Sequence, residues 1–247
     1  MPDNHRLVDV ELCARGTVVS EILSADSLDV NLEFEELSED SRRYTAVVNN
    51  EPRIHPSADV SREATIGNRT SIWHGVHVRE GVRIGSECII GKDVYLDAGV
   101  SIGDRCKIQN NASIFHGSTL EDGVFVGPHV CLTNDRFPRA ITPDGHLKRQ
   151  DDWDVGTITL CYGSSIGACT VILPGIRVGR FALVGSGSVV THDVPDHGLV
   201  MGNPARFVGY VCACGRRLTL SSVATDAASP PRDGYCNHCQ KQTILNS

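Results

Sequence analysis

Residues 84–108 read IGSECIIGKDVYLDAGVSIGDRCKI, and an aliphatic side chain returns at every sixth position: Ile84, Ile90, Leu96, Ile102 and Ile108. The period extends both ways. Upstream it takes in Ile54, Val60, Ile66, Ile72 and Val78; downstream it takes in Ile114, Leu120, Val126 and Leu132, without a miss. Four places after most hits stands a small or β-branched residue, as at Thr70, Val76, Cys88, Val94, Cys106 and Ala112. Glycine recurs between them. An α-helix cannot use a period of six, because each hit would turn to a different face. Short strands joined by tight glycine-rich turns can, so the pattern predicts stacked parallel β-structure.

The period breaks once. It resumes at Leu160, Ile166, Ile172, Val178, Val184 and Val190, leaving 28 residues between Leu132 and Leu160 where the repeat would use six. The surplus of about 22 residues predicts an inserted loop over 133–157, and insertions of that length in compact domains are commonly functional. It carries Arg136, Arg139, Lys148 and Arg149, cations able to meet a pyrophosphate. Five aspartates accompany them, so a solvated loop of mixed charge is the other reading.

Composition limits the partners. The chain has 247 residues, 24 glycines and a net charge of −7. That charge gives no general attraction to nucleic acid or an anionic membrane surface. The first residues contain no apolar signal-peptide core, and no apolar stretch is long enough to span a bilayer. Ten cysteines without an export signal point to reduced thiols in the cytoplasm, and to a metal site.

The hexads resemble those of the hexapeptide acyltransferases over roughly Ile54 to Gly209. The resemblance implies a left-handed parallel β-helix, with three hexads forming one triangular coil of eighteen residues. Coils then stack at about 4.8 Å, and each buries its aliphatic positions only against its neighbours. On that count His116 and Asn134 stack at one outer corner, each two places after an inward residue (Ile114, Leu132), with Ala98 one coil below. His74, His77 and His129 read as corner or surface residues, and Cys88 and Cys106 as inward packing residues. At the end of the repeat, D-V-P at Asp193–Pro195 and Asn203-Pro204-Ala205-Arg206 match the family's closing motif, whose arginine column lies near the 3′-phosphate end of coenzyme A.

The most specific stretch is KIQNN at Lys107–Asn111, followed by LTNDRFPR at Leu132–Arg139. It is similar to the sugar-nucleotide 3-N-acetyltransferases, which acetylate the 3-amino group of a dTDP- or UDP-linked amino sugar. The resemblance implies that Asn134 lies beside the sugar amine and the acetyl donor. An imidazole suits proton transfer near neutral pH, so His116 is the candidate general base; a polar corner residue is the bland alternative. Asn110, Asp135, Arg136 and Arg139 are the candidate substrate-binding residues. Ala168, Ser186, Thr191 and Arg206 are the candidate contacts to acetyl-CoA, the first three from their place in the later coils. The resemblance further implies a homotrimer with donor and acceptor meeting between neighbouring β-helices.

Cys212, Cys214, Cys236 and Cys239 form two close pairs around a linker, SSVATDAASPPRDG. Four thiolates in that frame predict a zinc ribbon with one structural Zn ion. The first pair is C-x-C rather than the usual C-x₂-C, and two disulfides are the alternative. The domain reading is residues 1–50 as an N-terminal cap or extension, 51–209 as the β-helix and 210–247 as the zinc-ribbon-like segment. Within the first, RLVDVELCARGTVV alternates and reads as strand, while LEFEELSEDSRRYT reads as helix or linker, giving a small α/β cap.

Three rivals remain. An O-acetyltransferase would use His116 to activate a hydroxyl. A γ-type carbonic anhydrase shares the fold but needs two histidines five residues apart, and Glu121 stands at that offset from His116. A non-enzymatic scaffold leaves the QNN and TND segments unexplained.

Overall fold

Most aliphatic hits sit in two-residue strands, such as Ile89–Ile90, Lys107–Ile108 and Ser113–Ile114, while Leu120 and Leu160 end three-residue strands. The structure, a computed structural model, describes residues 5–11, 30–36, 42–220 and 233–245. From Arg53 onward these strands stack into three sheets of nine, seven and six strands, parallel except for the last strand of the nine, and form the faces of a left-handed β-helix of about eight turns. The register is the eighteen-residue step: Ile72 pairs with Ile90, Ile90 with Ile108, and Ile114 with Leu132. The ladder bonds run between coils, so each coil satisfies the backbone groups of the next.

The core is a single column of inward side chains. Ile90, Leu96, Ile108, Ile114 and Leu132 are fully buried, each stabilising the fold by roughly 1.5–3 kcal/mol through lost contact with water. Cys88 and Cys106 lie in the same column, both buried. Polar turn side chains tie the coils together at the outside. The Asp104 carboxylate accepts from the Ser86 N–H at 2.7 Å, and Asp122 accepts from the Asp104 N–H at 2.9 Å.

An inserted loop separates Leu132 from the strand Ile158–Leu160. Leu120 pairs with Leu160, forty residues on, whereas Ile102 pairs with Leu120, eighteen residues on, so the surplus is 22. The loop is itself folded. Asp135 bridges Val155 and Ile141 bridges Leu147, with a short 3₁₀ turn at Gln150–Asp152.

The chain divides into two compact units, Met1–Glu51 and Pro52–Ser247. In the first, His5–Glu11 and Val30–Glu36 flank Arg42–Asn49 in an antiparallel sheet. The helix expected within LEFEELSEDSRRYT is therefore absent from its described residues, and the described part of this unit is all β rather than α/β. The physical reason is the alternation of Val30, Leu32 and Phe34 with Asn31, Glu33 and Glu35, a period of two that the acidic composition masked. Residues 12–19 of the strand reading lie outside the described residues.

Candidate active site

The site is built at the corner where the chain leaves the seven-stranded sheet. One column there runs through Glu80, Ala98, His116, Asn134, Pro174 and His192, because each lies two residues after a paired strand residue. His116 and Asn134 are thus one coil apart. Gly117 follows His116 with φ +87°, a left-handed turn that favours glycine, and a Cβ there would lie 3.3 Å from the Gly156 carbonyl oxygen. That closeness lets the loop root return beside the turn: the Gly156 N–H donates to the Asn134 carbonyl at 2.8 Å.

His116 is exposed and fixed from beneath. Its Nδ1 lies 2.7 Å from the Ala98 carbonyl oxygen. A carbonyl only accepts, so in the neutral ring Nδ1 carries the proton and Nε2 keeps its lone pair. Among the described residues nothing bonds Nε2. The His116 backbone N–H donates to Asp97 Oδ2 at 3.1 Å. Asp97 Oδ1 in turn accepts from the Ala98 N–H, the Tyr95 hydroxyl and Arg79 at 2.9, 3.0 and 3.1 Å. Burial works to raise the pKa of Asp97, but the N–H groups of Ala98 and His116, the Tyr95 hydroxyl and the Arg79 charge outweigh it. The carboxyl is held below its ordinary range.

The Asn134 side chain is half-buried and its amide has no hydrogen-bond partner among the described residues. The other loop candidates divide. Asp135 Oδ1 accepts from the Phe137 N–H at 2.9 Å, which shapes the loop root. The Arg136 guanidinium lies against Gly175 of the next coil, where a Cβ would strike it. Arg139 is exposed and reaches only the neighbouring Pro138 carbonyl, at 3.1 Å. Neither arginine has a carboxylate partner among the described residues.

Higher on the same corner, a cleft of about 340 Å³ is lined by Thr191, His192, Pro195, Ala205, Arg206 and Phe207. That volume is at the lower end for a small-ligand site. Thr191 and Arg206 are brought together there. His192 and Phe207 were not singled out from the sequence; His192 belongs to the His116 column, and the insertion hid its place in the count. From His116 to His192 is three coil steps, about 14 Å.

Asn110, Ala168 and Ser186 lie elsewhere. They follow strands of the nine-stranded sheet and occupy a second corner. Asn110 Oδ1 accepts from the Lys92 N–H at 2.9 Å, one coil below. Within one chain these three are not brought to His116.

The four C-terminal thiols do converge. The sulfurs of Cys212, Cys214, Cys236 and Cys239 all lie within 4.8 Å of one another. Those of Cys214 and Cys236 are 3.7 Å apart, and a tetrahedron with Zn–S bonds of about 2.3 Å has edges of about 3.8 Å. None is in a disulfide. The Cys239 N–H points at the Cys236 sulfur over 3.5 Å. With the His238 N–H and the other thiols, against a burial effect, it draws the Cys236 pKa down to about 7. The donor set suits zinc. Residues 221–232, most of the linker, lie outside the described residues.

Residues 81–116 match the family model "Hexapeptide repeat of succinyl-transferase", and residues 63–98 match "Bacterial transferase hexapeptide (six repeats)". The chain is 43% identical over 83 residues to a dTDP-3-amino-3,6-dideoxy-alpha-D-galactopyranose 3-N-acetyltransferase of Aneurinibacillus thermoaerophilus, covering 34% of this chain and 43% of that one. It is 43% identical over 63 residues to serine acetyltransferase 4 of Arabidopsis thaliana, covering 26% of this chain and 18% of that one. The chain therefore spans less than half the length of either curated relative. Among solved structures, a variant of GDP-perosamine N-acetyl transferase from Caulobacter crescentus, in complex with CoA and GDP-perosamine, is similar at 25% identity. The TM-score is 0.42, over 66% of this chain and 58% of that one.

Proposed function

We propose that the chain, whose residues 63–116 match hexapeptide-repeat transferase models, is a CoA-dependent N-acetyltransferase. It moves the acetyl group of acetyl-CoA to the 3-amino group of a nucleotide-linked (dTDP- or UDP-) amino sugar. The observation that carries this reading is the His116 ring, with Nδ1 tied to Ala98 and Nε2 left open, beneath the unpartnered amide of Asn134.

The neutral amine attacks the thioester carbonyl carbon, forming the C–N bond as the carbonyl electrons move to oxygen. Asn134 orients the amine through its amide oxygen. His116 Nε2 takes the proton the new ammonium must lose. The tetrahedral oxyanion, stabilised by a nearby N–H donor, collapses and breaks the C–S bond. The departing thiolate takes the proton back from the imidazolium, which restores the neutral ring. Holding both substrates in line supplies much of the remaining acceleration.

The donor arm runs up the corner past Pro174 to the cleft, where Thr191 and Arg206 meet the nucleotide end. Arg136 and Arg139 have the free charge to bind the pyrophosphate of the sugar nucleotide. Asn110, Ala168 and Ser186 share a second corner, so they reach the same substrates only from a neighbouring chain; this supports a homotrimer. The exposed Phe137, Leu147 and Trp153 of the loop fit the same arrangement. Reduced thiols and an acetyl-CoA donor support a cytoplasmic enzyme; among the described residues no helix is long and apolar enough to cross a membrane. The four-thiol cluster holds one structural zinc ion.

An O-acetyltransferase is the second reading. The partial match to a serine acetyltransferase and an imidazole with a free Nε2 favour it. A thiol-release assay with acetyl-CoA separates the two. A panel of dTDP- and UDP-linked 3-amino sugars should be turned over, and their 3-hydroxy counterparts should not. Turnover of the hydroxy sugars alone would replace the N-acetyl reading.

A further inference from the structure

The last strand of the nine-stranded sheet joins two sites. Arg206–Tyr210 pairs antiparallel with Gly198–Met201 as an edge strand, with Met201 opposite Arg206 and Gly198 opposite Tyr210. Its first residues, Arg206 and Phe207, line the cleft. Two residues beyond its end stands Cys212. The strand is thus a short rod, about 20 Å long from Arg206 to Cys212, with the cleft at one end and the thiol cluster at the other.

Among the described residues, a short set of hydrogen bonds ties the cluster end to the β-helix. Val211 N–H donates to the His197 carbonyl at 2.8 Å, the His197 ring bonds the Val211 carbonyl at 2.9 Å, and Leu218 N–H donates to Tyr210 at 2.9 Å. The second cysteine pair arrives on a separate three-stranded sheet of Thr219–Leu220, Asp233–Cys236 and Lys241–Ile244. A sheet so small buries too little apolar surface to hold itself together and needs a staple. The buried sulfurs of Cys212 and Cys236 stand where one would act.

We propose that a zinc ion at Cys212, Cys214, Cys236 and Cys239 clamps the C-terminal end of the Arg206–Tyr210 strand and thereby fixes the wall of the acyl-donor cleft. The metal takes no part in the chemistry. It binds four thiolates, releases their protons, and closes the small sheet onto the strand that carries Arg206 and Phe207. Its loss leaves the two cleft residues to be ordered by the donor itself. The inference rests on the acyltransferase reading only for the identity of the cleft's ligand.

The experiment uses the whole chain, as purified, after removal of zinc by a chelator under reducing conditions, and after return of Zn²⁺ or Co²⁺. The holoprotein should contain one zinc per chain. The Co²⁺ form should show the visible bands of a tetrahedral thiolate site, and Cys239→Ser should weaken them. Hydrogen exchange should lose protection at 206–211 on metal removal and stay unchanged at 71–132. Calorimetric titration with coenzyme A should show affinity falling about ten-fold in the metal-free protein, the effect of ordering two side chains on binding, and returning with Zn²⁺. A metal content well below one per chain, or unchanged exchange at 206–211 without metal, overturns the clamp. Equal coenzyme A affinity with and without metal overturns its link to the cleft. If coenzyme A binds neither form while 206–211 loses protection, the clamp stands and the acyl-CoA reading falls.

Discussion

The His116 ring donates its Nδ1–H to the carbonyl oxygen of Ala98, 2.7 Å away and one coil below. That bond makes the β-helix backbone the orienter of the imidazole, the place a carboxylate often takes. Asp97 works one step further back: it accepts the His116 backbone N–H and so fixes the turn rather than the ring. The consequences differ for the two residues and can be measured apart.

If His116 is the base, His116→Ala lowers kcat/KM for the amino sugar by on the order of 10²–10⁴. The loss shrinks at high pH, where the sugar amine is already neutral. A pH–rate profile of wild type and mutant checks this. An unchanged rate at neutral pH would reduce His116 to a polar corner residue.

Asp97→Asn acts on stability first. The folded carboxyl is held below its unfolded pKa of about 3.9, so its contribution is present above that pH and disappears as pH falls through the lowered folded value. At pH 7 the mutant should lose about 1–3 kcal/mol, because Arg79 and three other donors face a neutral amide. The gap to wild type should close below about pH 4. Urea unfolding at the two pH values checks it, and a gap that widens in acid would refute the sign.

The repeat was legible because burial in a β-helix imposes a period of six on its inward residues, as Ile72 through Leu132 show. The stack of His116 and Asn134 followed from counting eighteen. Asp97 escaped notice because a corner carboxylate carries no mark in the sequence; its role depends on which N–H groups the next coil delivers. His192 escaped because 22 inserted residues displaced its column. The strands of the first unit were missed where acidic residues on alternate positions imitated a solvated helix or linker.

Gly117→Ala tests the loop root. A non-glycine residue at φ +87° costs about 1–2 kcal/mol, and its Cβ presses on the Gly156 carbonyl. Gly156 holds Asn134 through the 2.8 Å backbone bond. Turnover should therefore fall several-fold while the affinity for coenzyme A stays constant, since the cleft is three coil steps away. Equal losses in both would show that the substitution damages the β-helix generally.

Asn134→Ala should lower turnover by about ten- to a hundred-fold, the value of one hydrogen bond of roughly 1.5–3 kcal/mol to a group that gains charge in the transition state. The KM for acetyl-CoA should not change, because the proposed role of the amide is to orient the reacting amine and not to hold the nucleotide end. The double mutant with His116→Ala gives the sharper result. If Asn134 orients the same amine whose proton His116 removes, the two residues act as a unit, and removing the second costs much less than removing it alone. If the two effects multiply instead, Asn134 serves binding independently of proton transfer. A double-mutant cycle on kcat/KM, with the amino sugar varied and acetyl-CoA saturating, decides between them. Full multiplicativity would break the catalytic pairing of the two stacked residues while leaving the fold and the donor cleft untouched.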